Sequence, residues 1–201
     1  MSESHELTPI DRTLRTAASA LTGAGVPFVL GGSLACWARG GPRARNDVDL
    51  MVAPEDVDPA LAALQEVGMR AEQPPENWLI KAWDGDVCVD IIFSPLGVRI
   101  DHDYIASAEA LSVLAIQMPV MAVEDVLVSR LLAVDEHLVE YTSLVAIARA
   151  LREQIDWESL ASRVADSPYA RAFLTLMDEL GISEPAARGA RGVRVHRLEL
   201  E

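Results

Sequence analysis

The chain has 201 residues, a length that fits one domain or a catalytic domain with a small addition. Half of the residues are hydrophobic and 24% are charged, a globular composition that excludes an intrinsically disordered protein. The 17 basic and 31 acidic residues give a net charge of −14, which disfavours broad DNA or RNA binding, because phosphate contacts require basic side chains.

Targeting signals and cysteine patterns are missing from the sequence. No apolar run reaches the roughly 18–20 residues that span a bilayer, and residues 1–6 lack the basic and apolar regions of a signal peptide. Cys36 and Cys88 lie in apolar contexts without the spacing of a zinc site or a disulfide framework. We therefore expect a cytoplasmic protein with no membrane partner and with both cysteines in its core.

The front half of the chain has an α/β pattern. Helical spacing of apolar residues and short β-branched runs predict alternating helices and strands, and the Asp-Gly dipeptide at 84–85 predicts a hairpin. The predicted helices are 8–21, 34–39 and 55–67, and the predicted strands are 26–30, the second half of 46–52, 78–83 and 87–93.

Beyond about residue 104 the pattern is helical. The predicted helices are 123–133, 139–153, 157–164 and 169–180. Asp156 and Ser167 are suitable N-caps for two of them, and Pro168 follows Ser167 at a favoured first helical position. The residues from Glu184 onward are rich in arginine and have little apolar patterning, so we expect a flexible arm or a late-packing tail.

A glycine turn follows the first predicted strand. Gly31-Gly32-Ser33 lies between that strand and the next helix, where glycines let the backbone approach a ligand closely. Successive amides at a helix start form an anion-binding concavity, and the Ser33 hydroxyl adds a donor for a phosphate oxygen. The alternative is an ordinary turn without a ligand.

Two acids stand two residues apart in Asp47-Val48-Asp49. On an extended strand they point the same way, and adjacent like charges are costly unless something compensates them. A divalent cation does so, and Mg²⁺ prefers such hard oxygen ligands together with substrate phosphates. The alternative is a solvated pair at the end of a strand.

Asp90 is a single acid inside the apolar strand 87–93. Burying a carboxylate costs several kcal/mol unless it is paired or bound to a metal. If this strand lies beside the one that carries Asp47 and Asp49, three carboxylates meet and can hold two cations. The alternative is an Asp at a strand edge, satisfied by backbone amides or by an arginine.

The ordered set of Gly31-Gly32-Ser33, Asp47-x-Asp49 and Asp90 resembles the nucleotidyltransferase core of the DNA polymerase beta superfamily. The resemblance covers about residues 26–93. The back half is similar to small stand-alone members, which include aminoglycoside and lincosamide nucleotidyltransferases and AbiEii-type toxins. The resemblance implies an α+β fold, with a mixed sheet flanked by helices and then a helical bundle. Its expected domains are a catalytic domain at 1–104, a helical domain at 105–183 and an Arg-rich tail at 184–201.

The resemblance also implies an activity, the transfer of a nucleoside monophosphate from an NTP to an acceptor hydroxyl with release of pyrophosphate. Asp47, Asp49 and Asp90 would be the catalytic residues and would hold two Mg²⁺ ions. Asp90 would accept the proton of the hydroxyl. The expected nucleotide-binding residues are Gly31, Gly32, Ser33, Arg43, Arg45 and Lys81. The alternatives are a solvated loop for the two arginines and an exposed strand face for Lys81.

The acceptor and the partners stay open at this point. The acidic balance favours a small molecule or a protein as the acceptor, while Arg39, Arg43, Arg45 and the tail keep a tRNA 3′ end open. Toxin-type members carry a lysine in the helix after the core where this chain has Arg130, which weakens a toxin hypothesis and its antitoxin-like partner. The alternative hypotheses are a non-catalytic nucleotide-binding or partner-binding module and an unrelated α/β protein.

Overall fold

Seven strands form one mixed sheet in a computed structural model that describes residues 7–43 and 47–183. The strands are β1 (Val29–Leu30), β2 (Val48–Met51), β3 (Arg70–Glu72), β4 (Leu79–Asp84), β5 (Val87–Ile92), β6 (Glu109–Val113) and β7 (Ile116–Val120). Their order across the sheet is β3-β4-β5-β2-β1-β7-β6. The β2–β5 and β1–β7 pairs are parallel, and the other pairs are antiparallel.

Helices pack around this sheet and follow it. They are α1 (Pro9–Gly23), α2 (Gly32–Ala38), α3 (Val57–Glu66), α4 (His102–Ser107), α5 (Val123–Leu132), α6 (Thr142–Leu151), α7 (Trp157–Arg163) and α8 (Pro168–Glu179). This architecture confirms the predicted mixed sheet flanked by helices. Among the described helices, none has both the length and the apolar character needed to cross a membrane.

Helix α1 shows how local sequence sets an element that supports the sheet. The Thr8 hydroxyl accepts a hydrogen bond from the Asp11 amide, and the Asp11 carboxylate accepts one from the Thr8 amide, so two N-terminal donors are satisfied reciprocally. Leu14 and Leu21 recur at helical spacing and are fully buried. Thr13 donates a hydrogen bond of 2.6 Å to Asp84 at the end of β4, which ties the helix to the β4–β5 hairpin.

The four helices predicted beyond residue 104 are present, but two unpredicted strands precede them, because β6 and β7 form a hairpin that extends the sheet. Its turn residues, Leu114 and Ala115, have φ values of 50° and 65°, in the left-handed region that usually calls for glycine or asparagine. The turn therefore carries no sequence signature. The division into domains at residue 104 stays a prediction, and the tail at 184–201 lies outside the described residues.

Arg39 links the front and back parts of the fold. Its guanidinium donates hydrogen bonds to the carbonyl oxygens of Val120 and Met121 and forms an ion pair of 2.8 Å with Glu109. The side chain is 12% exposed. Arg39 therefore has a structural role at the end of α2, and the expectation that it belongs to an RNA-binding patch is not supported by its contacts.

Candidate active site

The register of the sheet brings Lys81, Asp90 and Asp49 into one row. Lys81 on β4 is opposite Asp90 on β5, and Asp90 is opposite Asp49 on β2. Residues opposite each other on neighbouring strands project from the same face of the sheet. The Gly31 amide continues the row, because it donates a hydrogen bond of 2.9 Å to the Asp49 carbonyl. The acid-bearing strands are thus direct neighbours, as the sequence analysis required.

The two facing carboxylates raise the cost of ionising Asp49. Burial and the negative charge of Asp90 raise the pKa of Asp49 from 3.8 to about 7, and the positive charge of Arg130 partly opposes them. Asp47 lies at the surface just before β2, and partial loss of solvent around its carboxyl together with the charge of Asp90 raises its pKa as well. Three acids that interact in this way favour a cation among them.

The glycine turn lies against the Asp49 carboxylate. Gly32 has a φ of +56°, and a Cβ built on it would fall 1.7 Å from Asp49 Oδ2. A side chain there would therefore occupy the space of the carboxylate, and the left-handed backbone disfavours one in any case. Gly31 and Gly32 are buried and Ser33 is half-buried at the start of α2. The structure thus places the predicted phosphate turn and the predicted acids side by side.

Lys81 is paired with Asp90. Its ammonium lies 2.8 Å from Asp90 Oδ1, with 26% of the Lys81 side chain and 12% of the Asp90 side chain exposed. Burial alone would lower the pKa of Lys81, but the hydrogen bond and the charge of Asp90 outweigh it and raise the pKa. Lys81 is therefore a charged member of the site, although its contact is a carboxylate.

Arg130, which stands where toxin-type proteins carry a lysine, is a further candidate site residue that the sequence motifs did not indicate. Its guanidinium donates a hydrogen bond of 2.7 Å to the Ser33 hydroxyl, and its charge acts on Asp49. It lies on α5, whose other inward positions are Val126, Leu127 and Leu131. An arginine among such apolar residues was the available signal, since a half-buried guanidinium needs a polar partner.

Arg43 is directed elsewhere by its contacts. Its guanidinium forms an ion pair of 2.8 Å with Asp11 and lies 5.6 Å from the centre of the Trp37 ring. Its side chain keeps 41% exposure, and a nucleotide-binding role stays a prediction. Arg45 lies outside the described residues.

The donor atoms of the site determine which metal ion it can hold. Within residues 7–43 and 47–183, no group of three or more His, Cys, Asp or Glu side chains stands ready to hold an ion. The donors themselves suit Mg²⁺, because Asp47, Asp49 and Asp90 offer hard carboxylate oxygens whose mutual repulsion a cation would relieve. The residues fit the ion in chemistry, while Asp90 is engaged by Lys81.

Neither cysteine is a nucleophile at neutral pH. Cys36 and Cys88 are free and buried, as predicted. Burial raises the pKa of Cys36 to about 11, and burial together with the hydrogen bond to Asp90 raises the pKa of Cys88 to about 12. Both thiols are therefore protonated, and that of Cys88 donates a hydrogen bond of 3.3 Å to Asp90 Oδ1.

Two solved structures match this chain over almost their whole length. The crystal structure of ANT(2″)-Ia in complex with adenylyl-2″-tobramycin has a TM-score of 0.62 and 17% sequence identity, and the match covers 83% of this chain and 99% of that chain. The solution structure of ANT(2″)-Ia has a TM-score of 0.61 and 16% identity, covering 88% of this chain and 97% of that chain. At such identities the likeness shows the fold.

The sequence comparisons give the family. No curated protein sequence matches the chain. A family model described as "Uncharacterised nucleotidyltransferase" matches residues 10–178, which include the glycine turn, all three acids and α5. Because this match spans most of the chain, the protein belongs to that nucleotidyltransferase family.

Proposed function

We propose that this protein transfers a nucleoside monophosphate from an NTP to an acceptor hydroxyl and releases pyrophosphate. The observation that carries the proposal is the pairing of Asp49 with Asp90 on adjacent parallel strands, with Gly32 packed against the Asp49 carboxylate. Two facing acids that repel each other beside a glycine turn are a costly arrangement for a fold and a useful one for binding a metal-bound triphosphate.

The proposal gives each acid a role. Asp47 and Asp49 would hold Mg²⁺, and Asp90 would complete the binding of a second ion. When bound, the ions neutralise the triphosphate and lower the pKa of the acceptor hydroxyl. Asp90 takes the proton as the acceptor oxygen forms its bond to the α-phosphorus and the bond to pyrophosphate breaks. The protein contributes mainly positioning and charge.

The proposed phosphate-binding residues lie at the Asp49 end of the row, away from Lys81. Gly32 and Ser33 are the first residues of α2, where amides have no partner within the helix, whereas the Gly31 amide is bonded to the Asp49 carbonyl. Arg130 donates a hydrogen bond of 2.7 Å to the Ser33 hydroxyl. Amides together with a guanidinium provide the donors that phosphate oxygens accept. We therefore place the triphosphate between this turn and the acids, and Arg130 joins the residues proposed from the sequence.

For the acceptor, we place small hydroxyl compounds first. The solved structure of ANT(2″)-Ia in complex with adenylyl-2″-tobramycin has the same fold as this chain. The net charge of −14 disfavours RNA, and Arg39 is occupied by backbone carbonyls. A tRNA end, a protein acceptor and an antitoxin-like partner stay predictions from the sequence.

A label-transfer experiment tests the activity. The protein is incubated with each NTP carrying a radioactive α-phosphate, Mg²⁺ and, in separate arms, an aminoglycoside, a low-molecular-mass extract, a protein extract and total tRNA. We expect label in one arm with the wild type and none with the Asp47→Ala/Asp49→Ala double variant. Asp166→Asn, which changes an exposed acid of the α7–α8 connection, serves as the matched control and should label like the wild type.

Two results would contradict the proposal. Label that survives in the double variant would remove the assigned acids from the reaction. Tight calorimetric binding of Mg²⁺-NTP with no label in any arm would identify a non-catalytic nucleotide-binding module instead.

A further inference from the structure

The ion pair of Lys81 and Asp90 occupies a carboxylate that the proposed reaction needs. Asp90 Oδ1 accepts the Lys81 ammonium at 2.8 Å and the Cys88 thiol at 3.3 Å. Among the described residues no hydrogen-bond donor reaches Oδ2. In this conformation Asp90 is therefore neutralised by an internal cation.

The role of Lys81 described next rests on the proposed function. We propose that Lys81 is the counter-ion that Asp90 exchanges for a divalent cation, so that its ammonium holds the carboxylate when no metal is bound and releases it when a metal binds. Lys81 is thus a positioning residue that acts through Asp90, and its predicted contact with the nucleotide is not needed.

Electrostatics makes the two states exclusive. An ammonium and a divalent cation on the same carboxylate would lie within a few ångströms of each other in a half-buried site, where repulsion between like charges is large. The ammonium is the partner that can leave, because it is a point charge on a flexible four-carbon stem and the Lys81 side chain is 26% exposed. Asp90, on a central strand with 12% of its side chain exposed, stays in place.

The released ammonium has a second partner within reach. Glu72 on β3 is opposite Lys81 on the strand's other side, and its side chain is 43% exposed. One of its oxygens, Oε2, accepts the Trp83 ring N–H at 3.0 Å and lies 3.5 Å from the Arg70 guanidinium. No donor among the described residues reaches the other oxygen, Oε1, within hydrogen-bond distance. Cross-strand neighbours of this kind are close enough for an ion pair. A change of partner from Asp90 to Glu72 therefore moves the Lys81 ammonium from the β5 side of β4 to the β3 side.

Nuclear magnetic resonance can follow this exchange directly, because Lys81 is the single lysine of the chain. Protein labelled with ε-¹⁵N-lysine has one side-chain ammonium signal, and we expect it to be protected and shifted by the ion pair in the metal-free protein. Addition of Mg²⁺ with a non-hydrolysable NTP should change the signal in the same way as the Asp90→Asn substitution changes it without metal. Either the signal moves to the same chemical shift in both samples, or it is lost by exchange in both. A Lys81 signal that keeps its position while the metal binds would overturn the proposal.

Metal affinity is the second readout. At pH 8, Lys81→Met should bind Mn²⁺, followed by electron paramagnetic resonance, at least roughly tenfold more tightly than the wild type, because a repelling charge is removed. Lys81→Arg should retain wild-type affinity. Arg15→Gln removes an exposed charge of α1 outside the row of Lys81, Asp90 and Asp49, and it should leave affinity unchanged.

The outcomes separate the two proposals. Weaker or unchanged Mn²⁺ binding by Lys81→Met would contradict the exchange, while labelled product from the wild type would leave the proposed function standing. No Mn²⁺ binding by any variant, with or without NTP, would contradict the proposed function itself.

Discussion

Asp49→Asn will abolish nucleotidyl transfer and will also make the fold more stable at pH 8. The asparagine has nearly the same shape but cannot carry the charge that the proposed metal needs. We expect transfer to fall by roughly 100- to 1000-fold or more, as for the loss of a central electrostatic group. The gain in stability arises because the Asp49 carboxylate is ionised against Asp90 and Asp47, with only Arg130 and Lys81 to offset them.

The raised pKa of Asp49 determines the pH range in which the wild type loses stability relative to Asp49→Asn. The pKa of Asp49 is 3.8 in the unfolded chain and about 7 in the fold, so the folded state binds its proton more tightly. The stabilising effect of that proton is complete below pH 3.8 and is lost as the pH rises to about 7. Relative to Asp49→Asn, the wild type should therefore lose on the order of 4 kcal/mol over this range and nothing further above it.

Thermal unfolding at a series of pH values measures the difference. Asp166→Asn, the same chemical change on an exposed acid, should follow the wild type at every pH and retain activity. Equal stability of Asp49→Asn and the wild type at pH 8 would show that Asp49 is not strained by its neighbours.

Gly32→Ala will remove activity in a protein that is less stable but still folds. The new Cβ would fall 1.7 Å from Asp49 Oδ2, so the carboxylate must rotate out of the site. The φ of +56° adds a backbone cost of about 1 kcal/mol. The same Cβ would lie 2.6 Å from Asp49 Cγ, so the whole Asp49 side chain must change its rotamer. The clash is confined to this one side chain, so the protein should still fold, while Mg²⁺-NTP binding and transfer fall at least roughly 100-fold.

Gly25→Ala is the matched control for this substitution. Gly25 has a similar φ of +68°, but no atom lies within 4 Å of a Cβ built on it. It should show a smaller loss of melting temperature, from the backbone alone, and full activity. If Gly32→Ala were as active as Gly25→Ala, the close approach of the turn to Asp49 would have no part in the reaction.

Most helices and one critical pairing follow from local sequence. Thr8 and Pro9 mark the start of α1, and apolar spacing predicts α5 to α8 to within a few residues. The two-residue turn at Gly85 and Asp86 pairs Asp84 with Val87, which places Lys81 opposite Asp90 by simple counting. The pairing of Lys81 with Asp90 can thus be predicted from the sequence.

The parallel pairing of Asp49 with Asp90 cannot be predicted from the sequence by counting residues from a turn. More than thirty residues that include α3, β3 and β4 separate β2 from β5, so no turn sets their register. It depends instead on how the apolar faces of the sheet and helices pack together. The β6–β7 hairpin was missed for a local reason, since Leu114 and Ala115 occupy backbone conformations that favour glycine or asparagine.

The central claim is that Asp47, Asp49 and Asp90 together bind a metal-bound triphosphate. It is tested most directly by crystals grown with Mn²⁺ and a non-hydrolysable NTP, with data collected at a wavelength where manganese scatters anomalously. We predict anomalous peaks about 2.1 Å from carboxylate oxygens of Asp47 and Asp49, with Asp90 sharing an ion and the phosphates beside Gly32. Manganese and nucleotide bound away from these three acids would contradict the account.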